Sequence, residues 1–352
     1  MTRYLVCIAI LTCCFPTSEA ETKEHKRLFP VSHGDKSGFI NRKGKLVIPF
    51  QFDDVKDFHE GLAAVKRNEK WGFINERGKI VIPITLDEVG PFSEGLAGVR
   101  LGDKRIKIGN LSVPVTGKWG FIDKTGRIII PAKYGHTYSF SEGLASVRVS
   151  NMGDNGFIDR TGNLVINYQF SSALSFSEGL AAVHIKGKWG FIDKSGKVII
   201  HPQFDGVQDF NEGFSCVKIG EKYGFINKTG EITVPVNYDW AWSFYEGLAE
   251  VQVSGKSGFI DTTGTIVIHP RFESVGFFSE GVAYACVGKC GFINKSGEWF
   301  MKPRFGGINN FEGGLAWVDI REGKDLFWVY INKSGHIVWQ GYDPNRRKST
   351  LN

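Results

Sequence analysis

The chain has 352 residues, an apolar fraction of 42%, and 43 Lys+Arg against 37 Asp+Glu for a formal charge of +6. That is ample material for a core, but there is no basic stripe with interleaved aromatics of the kind a nucleic-acid groove needs; the one basic concentration, Arg346-Arg347-Lys348, lies in a polar tail, 343–352, read as disordered. The 44 glycines recur at fixed positions, which points to turns and away from a low-complexity chain.

In chain order, residues 1–20 come first. Arg3, an apolar run from Tyr4 to Phe15, Pro16, and the small residues Ser18 and Ala20 have the layout of a cleavable export signal. The run is too short for a stable bilayer anchor and no later segment equals it, so the expectation is an exported protein, periplasmic, surface-associated or secreted, with no transmembrane anchor. A lipoprotein reading, suggested by Cys13 and Cys14, is disfavoured because Thr12 and Cys13 stand where Gly or Ala would precede the lipidated cysteine.

A linker, 21–27, leads into one self-similar array over 28–342. Aligned on Gly-Phe-Ile, its units centre on Phe39, Phe73, Phe121, Phe157, Phe191, Phe225, Phe259 and Phe292, with Tyr330 as a weaker ninth, a period of about 34 residues. The second unit is complete: Gly61-Leu62-Ala63-Ala64-Val65, Lys70-Trp71-Gly72-Phe73-Ile74-Asn75 and Lys79-Ile80-Val81-Ile82-Pro83 read as three short antiparallel strands. Asn75-Glu76-Arg77-Gly78 and its equivalents, such as Asp193-Lys194-Ser195-Gly196, read as Asx turns closed by a positive-φ glycine. The Pro after the third strand is expected to end the ladder and turn the chain, followed by a short fourth strand at Phe-Asp-x-Val. An insertion, 101–116, is read as a hairpin arm on the third unit. In the last unit Gly313 stands at the usual Glu position and Val329 replaces the Gly of Gly-Phe-Ile, departures expected of a capping repeat.

Three columns of the array carry the chemistry. Trp71, Trp119, Trp189 and Tyr223 share an aromatic position, which Ser37, Asn155, Ser257 and Cys290 fill elsewhere; it is a weak candidate ligand-stacking surface set against half-buried packing. The following glycines, Gly72, Gly120 and Gly190 among them, are expected to let a neighbouring aromatic ring lie on the backbone. Ile80-Val81-Ile82 is expected to be buried on both faces between packed units. The third column is Glu60, Glu94, Glu142, Glu178, Glu212, Glu246 and Glu280, each followed by Gly. At a strand spacing of about 5 Å, bare carboxylates repel by roughly 0.8 kcal/mol even in water-like dielectric. Each is therefore expected to meet a lysine or backbone amides, or the units to be spaced wider. A seven-fold carboxylate is a structural feature and not an acid/base pair.

Outside the signal, Cys216, Cys286 and Cys290 do not make a disulfide framework, though Cys286 and Cys290 flank a hairpin tip where a cross-strand bond is an option beside two free buried thiols. The eight histidines form no ligand set; His201 and His269 share a repeat position but are singly placed. No metal site, cofactor or catalytic motif is read.

Lys70 to Gly78, Lys118 to Gly126 and Lys188 to Gly196, each with Phe-Ser-Glu-Gly-Leu-Ala nearby (Phe92 to Ala97, Phe140 to Ala145, Phe176 to Ala181), resemble the WG or KWG repeat of bacterial proteins. The resemblance implies arrays of variable copy number, often exported or surface-associated, mostly without assigned activity. The expected fold is all-β, a tandem array of about nine three-stranded units, with an open solenoid or superhelical stack favoured over a closed propeller. The expected function is that of a non-enzymatic binding or scaffold module for cell-envelope glycan or protein. A glycan-acting hydrolase and a purely structural surface protein are the alternatives.

Overall fold

Each unit folds into a small antiparallel sheet because its strands are short and its turns are as tight as sheet geometry permits. In the second unit the strands run Asp54–His59, Leu62–Arg67, Lys70–Asn75 and Ile80–Leu86, paired in that order. Glu60 (φ 51°) and Gly61 (φ 84°) make the two-residue turn between the first two strands, both in the left-handed region that a type I′ turn requires. At the later turn of the fifth unit, Asp193 Oδ1 accepts the N–H groups of Ser195 at 2.9 Å and Lys197 at 3.0 Å, as an Asx turn should.

The computed structural model describes residues 27–341 apart from 109–110, 151 and 323–324. The expected export signal, nearly all of the linker and the basic tail lie outside the described residues. Within them, seven four-stranded sheets are flanked by three-stranded sheets at Leu28–Phe52 and Leu315–Gln340, with Lys104–Ile108 and Leu111–Val115 forming the two-stranded arm. The unit is thus four-stranded: the segment after Phe-Asp or its counterpart supplies a full strand in the second unit and the short strand expected in the fourth, sixth and eighth, at His136–Thr137, Gly206–Val207 and Ser274–Val275.

The sheets stand in a ring, the arrangement of a nine-bladed β-propeller, and this overturns the open stack. Phe of each Gly-Phe-Ile packs against the Phe of the following blade's Phe-x-Glu-Gly, or its counterpart, as in Phe73–Phe92, Phe121–Phe140, Phe191–Phe210 and Phe259–Phe278, each with ring centroids 4.8 Å apart. First strands of successive blades touch: Lys56 Nζ donates to the Val89 carbonyl at 2.8 Å, and Ser243 Oγ to Gln208 Oε1 at 2.6 Å. The ends then meet. Phe29, Val31 and Ile40 of the first sheet share a core with Leu315 of the last, Phe29 and Tyr330 lie 5.6 Å apart edge to face, and Arg27 pairs with Glu312. Thirty-four residues suffice for a four-stranded blade because the turns use so few of them.

Three further expectations are corrected. Ile80 and Val81 are 44% and 36% exposed, while Ile82 is buried, because this strand is the outer edge of its blade and not an inter-unit layer. Pro83 lies within that strand, as do its equivalents; a residue without an N–H blunts an open edge and does not turn the chain. The glycine after the aromatic column accommodates backbone. Trp71 pairs with Leu86 and Phe73 with Ile82, so the outer strand bulges by two residues over Gly72, where a Cβ would sit 2.7 Å from the Ile82 carbonyl oxygen and the Ile84 Cα. In the last sheet Val329 pairs with Gln340 and Tyr330 with Trp339, with no bulge between them, so valine fits.

Candidate functional site

The glutamate column is an inter-blade clasp. Glu142 accepts the N–H of Gly179 in the next blade at 3.1 Å and pairs with Lys194 at 2.9 Å; Glu178 does the same with Gly213 and Lys228, Glu246 with Gly281 and Lys295, and Glu280 with Gly314 and Lys333. Glu60 takes Gly95 and Lys124, Glu94 takes Gly143, and Glu212 takes the N–H groups of Glu246 and Gly247. Each carboxylate meets donors from the next blade, which is the relief from repulsion that the sequence required.

The aromatic column does not converge. Trp71, Trp119, Trp189 and Tyr223 sit in four separate blades. Trp71 is buried under Lys56, 4.8 Å from its ring, while Arg100 lies 5.9 Å from Trp119, His184 5.1 Å from Trp189 and Trp240 4.9 Å from Tyr223. Gly72, Gly120 and Gly190 serve the bulge. Cys286 and Cys290, directly opposite each other in the eighth blade, are joined by a disulfide with S–S 2.03 Å, and Cys216 is a buried free thiol.

Chemistry concentrates elsewhere, where the last three blades meet. A pocket of about 600 Å³ is lined by Trp242, Glu250, Phe277, Tyr284, Asn310 and Glu312, among others. Glu250 stands third in the strand Leu248–Val253, a position held by Ala64, Gly98, Ser146, Ala182 and Cys216 in preceding blades and by Tyr284 and Trp317 in the next two. Small residues at this column give way to large ones in these last three blades, a change visible in the sequence itself. Ser257 Oγ donates to Glu250 Oε1 at 2.8 Å; burial nonetheless pushes the Glu250 carboxyl up, and burial together with the Glu250 charge raises the Tyr284 phenol. Asn310 Oδ1 is buried with no hydrogen-bond partner, an acceptor held against Gly276.

Trp242, 41% exposed, stacks on Trp240 with centroids 6.1 Å apart and planes 19° from parallel; Phe277, 40% exposed, lies 4.5 Å from Tyr245. Trp242 also borders a second pocket, about 420 Å³, with Gln208, Asp209, Asn211 and Tyr245, where burial raises the Asp209 carboxyl. Aromatic side chains and a few polar groups thus line the two neighbouring pockets together, the composition that small-molecule pockets commonly have. Among the described residues no helix is long and apolar enough to cross a membrane, and no group of three or more His, Cys, Asp or Glu has metal-site geometry.

The family model described as WG containing repeat matches residues 38–71, 71–104, 119–152, 156–189, 189–223, 223–256, 258–289 and 291–324. No curated protein sequence matches the chain. Among solved structures, the chain is similar to dihydro-heme d1 dehydrogenase NirN in complex with DHE (12% identity, 91% of this chain and 75% of that one, TM-score 0.47). It is also similar to virginiamycin B lyase from Staphylococcus aureus (17%, 69% and 91%, 0.37) and to Kluyvelomyces marxianus Hsv2 (10%, 79% and 96%, 0.38). TM-scores below 0.5 carry no argument, so the ring rests on the contacts given above.

Proposed function

Because the chain belongs to the WG containing repeat family, eight of whose repeats span most of it, we propose that it is an exported binding module that holds cell-envelope glycan at the pocket of the last three blades, without turnover. The observation that carries this reading is the stacked and half-exposed Trp240–Trp242 pair beside the inward groups Glu250, Tyr284 and Asn310. A sugar ring has an apolar C–H face that lies on an indole and a hydroxyl rim that needs buried donors and acceptors, and this pocket offers both. Export, read from Met1 to Ala20, accords with the Cys286–Cys290 disulfide, since such bonds persist in oxidising compartments.

Titration of the purified protein with peptidoglycan fragments and soluble polysaccharides, followed by tryptophan fluorescence, tests the proposal. Saturable binding lost in Trp242→Ala supports it; binding unaffected by that change moves the site elsewhere. A second reading, glycan hydrolysis, is favoured by one observation. Glu250 and Glu312 line one pocket in unlike environments, the first with its pKa raised by burial and the second exposed and paired with Arg27. Release of reducing ends that stops in Glu250→Gln would establish the hydrolase in place of the binding module.

A further inference from the structure

The two pockets that meet at Trp242 share an electrostatic character that a neutral glycan does not use. One contains Glu250 and Glu312, the other Asp209, and among the described residues no Lys, Arg or His lines either. Elsewhere in the ring the described carboxylates on the clasp column are met by lysines or backbone N–H groups of the next blade, and Asp53, Asp87, Asp205 and Asp239 on the opposite rim by Lys36, Lys70, Lys188 and Lys222. Glu250 instead has a serine hydroxyl, with aromatic faces around it. Asn310 adds a buried acceptor with no donor. Two carboxylates and the Asn310 oxygen thus line a space that Trp242, Phe277 and Tyr284 also line.

We infer that the site selects a glycan bearing a free, protonated amino group: an amino-sugar unit whose ammonium sits between the Glu250 carboxylate and the surrounding aromatic faces, with Trp242 dividing two neighbouring sugar subsites. An ammonium brings three donors, matching Glu250 and Asn310, and gains cation–π attraction that a hydroxyl or an acetamide does not. A buried carboxylate repays its desolvation only when a cation or several donors reach it, so loss of the charge on the ligand leaves the pocket with unmet acceptors. Glu312 remains with Arg27 at the ring seam and sets the outer limit of the pocket.

This inference rests on the glycan-binding reading, and the experiment separates the two. Calorimetric titration of the full folded chain with a glucosamine trimer, the corresponding N-acetylglucosamine trimer and a glucose trimer compares one backbone with and without the charge. The expected result is binding of the glucosamine trimer at least tenfold tighter than of the other two, a preference erased in Glu250→Gln. Thermal melting of the variant verifies that it is folded, and the three-ligand comparison on the unaltered protein stands without it. Equal affinities for all three trimers overturn the amine preference and leave the glycan site in place. Absence of binding to every trimer overturns the trimer-length glycan site together with the preference.

Discussion

The hydroxyl of Tyr330 donates a hydrogen bond to the carbonyl of Pro30 at 3.2 Å, across 300 residues of chain. This bond, with the Phe29, Val31, Ile40 and Leu315 cluster behind it, joins the last sheet to the first and makes a ring of what would otherwise be a stack with two bare ends. Closure predicts a graded response at the seam. Tyr330→Phe removes one hydrogen bond and should cost about 1 kcal/mol. Leu315→Ala opens a buried cavity and should cost about 2–5 kcal/mol. Separating the exposed Arg27–Glu312 pair should cost less than about 1 kcal/mol. Urea unfolding ranks the three, and small-angle scattering of the unaltered protein should give the compact profile of a ring.

Acid should loosen the clasps. Burial opposes the charge on Glu60 and Glu142, yet the lysine and backbone donors outweigh it and both carboxyls sit below their ordinary 4.5. In the Asx turns, Asp159, with the Thr161 hydroxyl as its leading donor, is lowered to about 2. Native values below unfolded ones mean that the stabilisation is fully present above the unfolded pKa and is lost as pH falls through the native ones. Stability should therefore decline between about pH 4.5 and pH 2. In Glu142→Ala the neutral-pH stability should fall by about 1 kcal/mol, since the carboxylate is partly exposed, and the acid dependence should flatten. Unfolding midpoints across pH measure both.

Gly190 and Val329 occupy the same column and should differ in what substitution by alanine costs. A Cβ on Gly190 would sit 2.5 Å from the Ile200 carbonyl oxygen and 2.7 Å from the Pro202 nitrogen, so Gly190→Ala must shift backbone and should cost about 3 kcal/mol or more. Val329→Ala, where the outer strand does not bulge, should cost only the lost packing of a buried valine, about 1–3 kcal/mol. Thermal melts of the two variants decide it; equal losses would show that the bulge does not set the glycine.

Reduction of Cys286–Cys290 should matter little to the whole. The bond closes a loop between residues only four apart in sequence, so the entropy it removes from the unfolded chain is worth at most about 2 kcal/mol. Melting with and without reductant should differ by a few degrees, and a collapse of the ring on reduction would contradict this.

Much of the blade was legible in the residues. Period, strands, Asx turns and the need for each repeated glutamate to find donors all follow from local rules, because turn chemistry and alternation act over a few residues. Pro83 and Gly72 were misjudged for one reason: whether a strand is an edge, and whether its partner bulges, depends on the neighbouring chain and not on the residue. The pocket is not legible in the column that repeats, Trp71 and its kin; the informative residue is the one that breaks a column of small side chains, Glu250.

Local residues suffice to specify the unit: about 34 residues, antiparallel, turned at its Asx-Gly segments. That the array closes, and that Trp242, Glu250, Tyr284 and Asn310 share one cavity, depends on how the units pack. The physical reason is that closure depends on a small rotation per interface summed around the ring. No single unit encodes that angle, and it becomes visible only when the last interface, Tyr330 on Pro30, meets the first.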